Sequence, residues 1–150
     1  MGIVLRGENL IKDYGKKHVV KGVSFQVEQG EIIGLLGPNG AGKTTSFYMI
    51  VGLVSATQGK VFLDKQDITK DPMYKRAQQG IGYLAQEASI FRKLSVEDNI
   101  KSVLQFTKYS KKEQQMKVDS LIEEFSLEHV RRNRGDLLSG GERRRCEIAR

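Results

Sequence analysis

The glycine-rich run at residues 37–44 limits the possible folds of this chain more than any other segment. It reads G-P-N-G-A-G-K-T and fits the pattern G-x-x-x-x-G-K-[ST]. Residues 32–36 before it are mostly apolar and predict a short buried strand. Apolar residues after it have helical spacing and predict a packed helix: Phe47, Ile50, Val51 and Val54. Strand, loop and helix in this order indicate a phosphate-binding loop rather than a glycine-rich turn that merely precedes a helix.

The chemistry of such a loop follows from the helix that it opens. The first turn of a helix leaves backbone N–H groups unpaired and carries a partial positive charge. Glycines allow this backbone to wrap closely around an anion, because they have no Cβ and tolerate positive φ angles. Lys43 can place its charge against the β- and γ-phosphates of a nucleotide, and the Thr44 hydroxyl can bind Mg²⁺.

The first half of the chain is expected to combine strands with two helices. The predicted strands cover residues 3–10, 19–27, 32–36, 61–63 and 81–84. Residues 57–59 predict a turn. Asp71 followed by Pro72 predicts a helix start, with Asp71 as the capping residue and the helix running to about Gln79.

From Ser95 onward the pattern becomes helical. Ser95 and Asp98 resemble a capping box with Asp in place of Glu, and Ser110 is predicted to open a further helix. The predicted apolar faces of these two helices are Ile100, Val103 and Leu104, and then Val118, Leu121, Ile122 and Phe125. We therefore expect an α/β core at residues 1–87, a helical subdomain at residues 88–135 and a final segment at residues 136–150.

The composition is typical of a globular protein of the cytosol. The 150 residues are 39% hydrophobic and 29% charged. The sequence predicts neither a signal peptide nor a membrane span, since its longest apolar-rich run is far shorter than the ~20 residues that a spanning helix needs. The single cysteine, Cys146, excludes an internal disulfide framework and is expected to pack as a small apolar residue.

The formal net charge of +7 raises the question of nucleic-acid binding, because nucleic-acid-binding proteins are often strongly basic. Basic residues cluster at residues 108–112, 131–134 and 143–145. No recognisable nucleic-acid-binding module or aromatic stacking pattern accompanies these clusters. The sequence therefore favours a solvated or phospholipid-facing basic surface and no nucleic-acid partner.

A second glycine-containing motif, L-S-G-G-E at residues 138–142, narrows the interpretation of the first. By itself it predicts a turn that leads into a helix through Arg150, with glycines that admit a phosphate closely. With it, four motifs occur in the order found in the ATP-binding subunits of ATP-binding cassette (ABC) transporters. These are an A-loop at residues 12–15, a Walker A loop at 37–44, a Q-loop at 83–87 and the signature at 138–142. The chain resembles this family over all 150 residues.

The resemblance implies an α/β fold of the P-loop NTPase type with an antiparallel β subdomain and a helical subdomain, incomplete at its C-terminus. It implies ATP and Mg²⁺ as cofactors. Tyr14 would stack on adenine, although a strand-edge tyrosine is the alternative, and Thr44 and Gln86 would bind Mg²⁺. The residues implied to contact the nucleotide are Tyr14, Gly37, Pro38, Asn39, Gly40, Ala41, Gly42, Lys43, Thr44, Thr45, Gln86, Ser139, Gly140, Gly141 and Glu142.

The partners are also implied by the resemblance. In this family two nucleotide-binding domains dimerise head to tail, and each ATP lies between the Walker A loop of one and the signature of the other. We therefore expect a homodimer that contacts integral membrane permease subunits at the cytoplasmic face of the inner membrane. Phe91, Arg92 and Leu94 are candidates for the permease contact, and ordinary packing within the helical subdomain is the alternative.

The family pattern continues with a Walker B aspartate, a catalytic glutamate and a switch histidine, which are not recognisable in these residues. His18 and His129 are expected to be surface or packing residues. The resemblance thus implies a C-terminally truncated chain without a catalytic residue of its own, whereas the full-length protein would hydrolyse ATP. Without a Walker B strand beside the phosphate-loop strand, the parallel sheet is expected to expose apolar surface.

Within the family, residues 46–49, 80–96 and 141–145 are similar to the ATPases of lipopolysaccharide export. Ala85 departs from the proline that usually precedes the Q-loop glutamine. Branched-chain amino acid importer ATPases share much of this pattern and are an alternative. A non-hydrolytic ATP-binding module is a second alternative for the truncated form. A soluble ABC ATPase acting on DNA or ribosomes is a third, although such chains usually carry two cassettes or a coiled-coil insert.

Overall fold

A long antiparallel hairpin organises the first half of the chain. In the computed structural model, which describes residues 4–150, strand β1 spans Val4–Tyr14 and pairs with strand β2 at Lys17–Glu28. Two shorter strands, β3 at Gln58–Leu63 and β4 at Gln66–Asp67, complete an antiparallel sheet of order β2-β1-β3-β4. The predicted first strand is confirmed but longer than expected, and its first predicted residue, Ile3, lies outside the described residues.

Two helices accompany this sheet, α1 at Lys43–Val51 and α2 at Met73–Gln78. The core formed with the sheet consists of Leu10, Val20, Met49, Val61 and Ile68. These elements belong to a structural unit that ends at Tyr83, and a second unit spans Leu84–Arg150. The final residues 136–150 share that second unit with the helical segment before them.

The strand predicted at residues 32–36 is absent from this structure. The segment pairs with no other strand among residues 4–150, and Ile32 and Leu36 are 98% and 93% exposed. The predicted strand at 81–84 is likewise wrong. A parallel strand exists only through hydrogen bonds to its neighbours, and no described strand lies beside either segment. Apolar side chains at the phosphate-loop segment are exposed, but in an unpaired segment rather than at the edge of the expected parallel sheet.

Gly59 marks a close backbone approach rather than the turn predicted at residues 57–59. Strand β3 already begins at Gln58, and β1 has a register shift between Glu8 and Ile11 opposite it. A Cβ on Gly59 would lie 2.4 Å from the carbonyl oxygen of Asn9 and 2.5 Å from that of Glu8. Only glycine therefore lets β3 pass this bulge of β1.

Helix α1 ends earlier than its apolar pattern predicts. Gly52 adopts a left-handed φ of 83° and donates its N–H to the carbonyl of Tyr48, which terminates the helix after Val51. Val54 consequently lies beyond the helix, although it still packs against the core. Phe47, predicted to face inward, is 46% exposed.

Helix α2 also begins differently from the prediction. Pro72, rather than Asp71, occupies the N-cap position, and no side chain caps the helix. The main-chain carbonyl of Asp71 has another role, because it accepts a hydrogen bond from the Arg76 guanidinium at 2.8 Å.

Arg76 fastens α2 to the C-terminal end of α1. The side chain is 2% exposed, and its Nη1 donates to the carbonyls of Met49 at 2.8 Å and Ile50 at 2.5 Å, while Nη2 donates to that of Thr69 at 2.9 Å. These bonds place a cation where helix carbonyls lack internal partners. Burial lowers the pKa of Arg76, and the nearby Asp71 carboxylate opposes this effect.

The second unit is helical. It contains helices α3 at Val96–Leu104, α4 at Lys111–Glu124 and α5 at Gly140–Ala149. Two short 3₁₀ turns, at Glu128–Val130 and Gly135–Leu137, lie between α4 and α5. Their core contains Ile90, Val96, Ile100, Leu104, Val118, Ile122, Leu127, Val130, Leu138, Cys146 and Ala149. The predicted apolar face of α4 is confirmed, as is the packing of Cys146 as a small apolar residue.

The helix starts in this unit agree closely with the sequence. Ser110 and Glu113 form a complete capping box. Ser95 caps α3 by accepting the Asp98 N–H at 3.1 Å, but the Asp98 carboxylate bonds the Ser95 hydroxyl instead of its backbone. Val103, predicted to face inward on α3, is 39% exposed.

An ionic cluster fixes the connection that leads towards α5. Glu97 on α3 accepts from the Arg131 Nε at 2.8 Å and from the Lys101 Nζ at 2.7 Å. Arg131 also pairs with Asp119 on α4, at 2.7 Å. The hydrogen bonds from Arg131 and Lys101 hold the pKa of Glu97 far below its usual range. The Arg131 guanidinium, in the segment before the signature, thus joins α3 to α4.

The Arg76 anchor leads to a prediction about stability. Replacing Arg76 with Met leaves the carbonyls at the end of α1 buried without donors, so we expect the free energy of unfolding to fall by about 2–4 kcal/mol. Lys75→Met, on the exposed side of the same helix, is the control and should change stability by less than about 0.5 kcal/mol. Urea unfolding of the full-length variants measures both, and equal stabilities would contradict the anchoring role.

Candidate functional site

The phosphate-binding loop is held against the sheet at Gly42. This residue adopts a φ of 84° and occupies the N-cap position of α1. A Cβ at this position would lie 2.6 Å from the carbonyl oxygen of Val19 and 3.0 Å from Cγ2 of Val20, both on β2. Gly40 has a φ of 80° with open space around it. Glycine is therefore required at Gly42 for packing and at both positions for backbone conformation.

Backbone donors of the loop remain available for a ligand. Within residues 4–150, no carbonyl or side chain accepts the N–H groups of Lys43, Thr44 or Thr45. The next N–H, that of Ser46, is the first to bond within the chain, at 2.8 Å to the carbonyl of Gly42. Three unpaired N–H groups at the start of a nine-residue helix fit an anion such as a nucleotide phosphate.

Lys43 adds a positive charge to this loop. Its Nζ donates to the carbonyl oxygens of Gly37 at 2.6 Å and Pro38 at 2.7 Å, so the ammonium lies directly over the loop. The adjacent Thr44 side chain is exposed. An ammonium and a hydroxyl at these positions fit the polyphosphate and the Mg²⁺ that accompanies it. No cluster of metal ligands supplied by the protein alone is found in the described part of the chain.

Tyr14 lies at the tip of the β1–β2 hairpin, in the same unit as the loop. Its ring is 52% exposed, and the Lys12 ammonium sits 5.0 Å from the ring centroid. Lys12 pairs across the sheet with Val20, the strand residue that Gly42 packs against. Tyr14 is thus two residues, about 7 Å of strand, beyond the point where the loop meets the sheet. This position suits an aromatic surface for the base of a bound nucleotide.

The signature residues form the start of α5 in the second unit. Ser139 is the N-cap, and Glu142 completes a capping box with it. The Ser139 N–H donates to the Glu142 Oε2 at 2.8 Å, and the Glu142 N–H donates to the Ser139 Oγ at 3.3 Å. The N–H groups of Gly140 and Gly141 have no acceptor within residues 4–150. The predicted helix is confirmed and ends at Ala149, one residue earlier than expected.

The hydrogen-bonding state of Glu142 has an electrostatic consequence. The bonds from the Ser139 backbone and hydroxyl, together with His129, lower the pKa of Glu142 to about 2. Because this pKa is lowered in the folded protein, the contribution of the capping carboxylate is complete above the ordinary pKa of glutamate and disappears as the pH falls towards 2. The capping box is therefore intact throughout the neutral range.

Gln86, the predicted Q-loop glutamine, is exposed in a bend of the second unit. The structure thus distributes the predicted site residues between its two units. Residues 14 and 37–45 belong to the first, and Gln86 and residues 139–142 belong to the second.

Sequence reasoning missed two side chains that act on these motifs. Arg76 supports the far end of the phosphate-loop helix, and His129 bonds the Glu142 carboxylate at 3.0 Å. The expectation that His129 is an ordinary surface residue therefore omits a specific contact. Nothing in the thirteen-residue separation of His129 and Glu142 marks this contact in the sequence. His18, the other histidine, pairs with Asp13 at 2.7 Å.

Comparison with known proteins agrees with this arrangement of motifs. The ABC transporter family model matches residues 20–150. A probable ABC transporter ATP-binding protein of Azorhizobium caulinodans is 60% identical over 94% of this chain and 50% of its own length. The lipopolysaccharide export system ATP-binding proteins LptB of Haemophilus influenzae and Escherichia coli are 57% and 54% identical, over 98% and 97% of this chain and 61% of each relative.

Solved structures show the same relationship. An ATP-binding cassette of an ABC transporter in its ADP conformation superposes with a TM-score of 0.82 and 26% identity, over 100% of this chain and 64% of that one. The protein cbiO1 of Clostridium perfringens, part of the ABC transporter complex cbiONQ, gives a TM-score of 0.86 and 25% identity, over 99% and 61%. The chain thus spans between half and two thirds of the length of these relatives.

No helix in the described part of the chain has the length and apolar character needed to cross a membrane. The family match covers most of the sequence, the motifs lie at the two helix starts described above, and the solved cassettes share the fold. The chain therefore belongs to the ABC transporter family, as a part of its ATP-binding subunit.

Proposed function

We propose that this chain is the larger part of an ATPase subunit that forms a head-to-tail homodimer and drives lipopolysaccharide export from the inner membrane. The observation that carries the proposal is the pair of exposed helix starts, α1 and α5, each with unpaired backbone N–H groups and glycines. Two such starts on one chain suit an ATP that is bound by α1 of one copy and α5 of the other.

The proposed roles follow the donors that the structure presents. The N–H groups of α1 and the Lys43 ammonium bind the β- and γ-phosphates, and Thr44 with Gln86 ligates Mg²⁺. Tyr14 stacks on adenine. In the opposing copy, the Ser139 hydroxyl and the N–H groups of Gly140 and Gly141 contact the γ-phosphate. ATP then holds the dimer together, and its hydrolysis to ADP removes the phosphate that both copies share.

Hydrolysis itself is assigned to the longer protein. The chain spans 61% of the lipopolysaccharide export relatives, and the proposal places the Walker B aspartate and the catalytic glutamate outside these 150 residues. The aspartate would complete the Mg²⁺ shell, and the glutamate would orient the attacking water. By itself, this part of the subunit is proposed to bind ATP without hydrolysing it.

The permease contact is proposed at the segment that follows the Q-loop. Phe91 and Leu94 are 51% and 37% exposed, although both are large and apolar. The buried Asn99 accepts the Phe91 N–H at 2.8 Å and donates to the carbonyls of Phe91 and Leu94 at 3.1 and 3.3 Å. A rigidly held apolar surface beside Arg92 suits docking of a membrane subunit at the cytoplasmic face of the inner membrane.

Lipopolysaccharide is preferred as the transported substrate because several ATP-binding proteins of lipopolysaccharide export systems are more than half identical to this chain. The relative at 60% identity carries only the general name of an ABC transporter ATP-binding protein. The substrate therefore has to be tested in cells rather than inferred from the ATP site.

Lys43 provides the test of the ATPase assignment. In the full-length protein with its membrane partner, Lys43→Met should lower ATP turnover at least ~100-fold, because the ammonium stabilises charge on the transferred phosphate. Lys70→Met, an exposed lysine away from the loop, should leave turnover unchanged. A phosphate-release assay makes the comparison, and full activity of Lys43→Met would reject the assignment of an ATPase.

A second prediction separates the two kinds of glycine near the loop. Gly42→Ala adds a Cβ against the Val19 carbonyl at a left-handed φ, so we expect ATP affinity to fall about tenfold or more. Gly22→Ala on β2 is the matched control and should bind ATP normally, because Gly22 has a similar left-handed φ of 94° but a Cβ there meets nothing within 4 Å. Isothermal titration calorimetry of the full-length variants provides the measurement, and indistinguishable affinities would contradict this view of the loop.

The substrate is tested by replacement of the relative in E. coli. In cells depleted of their own LptB, the full-length protein should restore the appearance of newly made lipopolysaccharide in the outer-membrane fraction, and its Lys43→Met variant should not. If the protein hydrolyses ATP with a different permease but no newly made lipopolysaccharide reaches the outer membrane, the ATPase assignment would stand and lipopolysaccharide would be rejected as the transported substrate.

A further inference from the structure

His129 and the signature helix are joined by a short chain of hydrogen bonds. The His129 Nε2 lies 3.0 Å from the Glu142 Oε1, and the other oxygen of the same carboxylate accepts the Ser139 N–H at 2.8 Å. His129 belongs to the 3₁₀ turn Glu128–Val130, whereas Ser139 and Glu142 belong to the start of α5. A residue outside the signature thus bonds directly to the side chain that closes its capping box.

This arrangement determines which groups of Ser139 can face a ligand. Its N–H is occupied by Glu142, and its Oγ accepts the Glu142 N–H at 3.3 Å. The Ser139 hydroxyl also interacts with the Glu142 carboxylate. Both polar groups of Ser139 are therefore oriented by Glu142, so the orientation of the Glu142 side chain determines how Ser139 lies at the helix start.

The charge of Glu142 also matters at this position. A carboxylate in the first turn of a helix is stabilised by the partial positive charge of the helix start, which would also stabilise a bound phosphate. The His129 imidazole donates to Oε1 of this carboxylate, whereas the Ser139 N–H bonds Oε2, and 61% of the His129 side chain is accessible. A donor on Oε1 both fixes the carboxylate and offsets part of its charge.

We propose that His129 is a positioning residue of the signature: by donating to Glu142 Oε1, it keeps Ser139 and the start of α5 in the geometry that binds the γ-phosphate of an ATP carried by the second copy. This role rests on the homodimer proposed above. His129 acts through Glu142 and contacts no nucleotide. Its effect is confined to the closed dimer, because the Walker A loop that binds ATP first lies in the other unit of the chain.

The experiment compares two substitutions in the full-length protein. His129→Leu removes the donor, whereas His129→Gln retains an N–H at a similar distance from the backbone. With the non-hydrolysable imido analogue of ATP and Mg²⁺, we expect His129→Leu to weaken each composite site about threefold, the size of one exposed charge-assisted bond. Because a symmetric dimer contains two such sites, its dissociation constant should rise about tenfold in analytical ultracentrifugation.

Further variants and readouts separate positioning from a general loss of structure. His129→Gln should restore most of the dimer affinity. Binding of the analogue to the dilute monomer and the thermal midpoint should be unchanged in both variants. Arg132→Leu, which removes an exposed cation three residues away, should leave the dimer unaffected. In a Glu142→Gln background, His129→Leu should have little further effect, because the partner of the histidine is already altered.

The following outcomes would overturn the proposal. If His129→Leu dimerises like the wild type, or weakens the dimer equally with and without the Glu142 carboxylate, His129 does not position the signature. If His129→Gln weakens the dimer as much as His129→Leu does, donation to Glu142 is not the function of His129. Failure of the wild type to dimerise with the analogue would instead reject the homodimer itself, and the role of His129 with it.

Discussion

The close approach of the phosphate loop to strand β2 is the constraint on which the first unit depends. The backbone of Gly42 passes so near the Val19 carbonyl that a single Cβ would not fit. This contact fixes where α1 begins, and therefore where its unpaired N–H groups point. At the other end of the same helix, Arg76 holds the carbonyls of Met49 and Ile50. Helix α1 is thus held at both ends. Its start packs closely against β2 because Gly42 has no side chain, and its end is bonded by the buried Arg76 guanidinium.

The second unit presents its helix start by a different means. Here a capping box, rather than a close packing contact, defines the first turn of α5. The segment leading to it is fixed by Arg131, whose guanidinium joins Glu97 on α3 to Asp119 on α4. Polar interactions of this kind depend on direction and charge, and they leave the first-turn glycines accessible. One chain therefore contains two helix starts with unpaired N–H groups. Close packing of a glycine fixes the first, and a capping box fixes the second.

The exposed segment at residues 32–36 shows how far strand formation depends on neighbours. Its residues are as apolar as those of β3, yet Ile32 and Leu36 are almost fully exposed. Among the described strands, none lies beside it, and the sheet that does form is entirely antiparallel. The hairpin β1–β2 succeeds because its two strands are adjacent in sequence and supply one another's hydrogen bonds. A parallel strand cannot be completed locally in this way.

The sequence by itself determined the glycine-rich loop, the signature and the caps of α4 and α5, because each depends on a few neighbouring residues with distinctive chemistry. Ser110 with Glu113 and Ser139 with Glu142 form their bonds within one turn of helix. Only the tertiary structure decided which apolar segments become strands, why Gly59 lies inside β3, and that Arg76 and His129 reach the motifs from distant positions. Those features arise from contacts between residues far apart along the chain. The local sequence pattern around one residue does not indicate which distant residue it will contact.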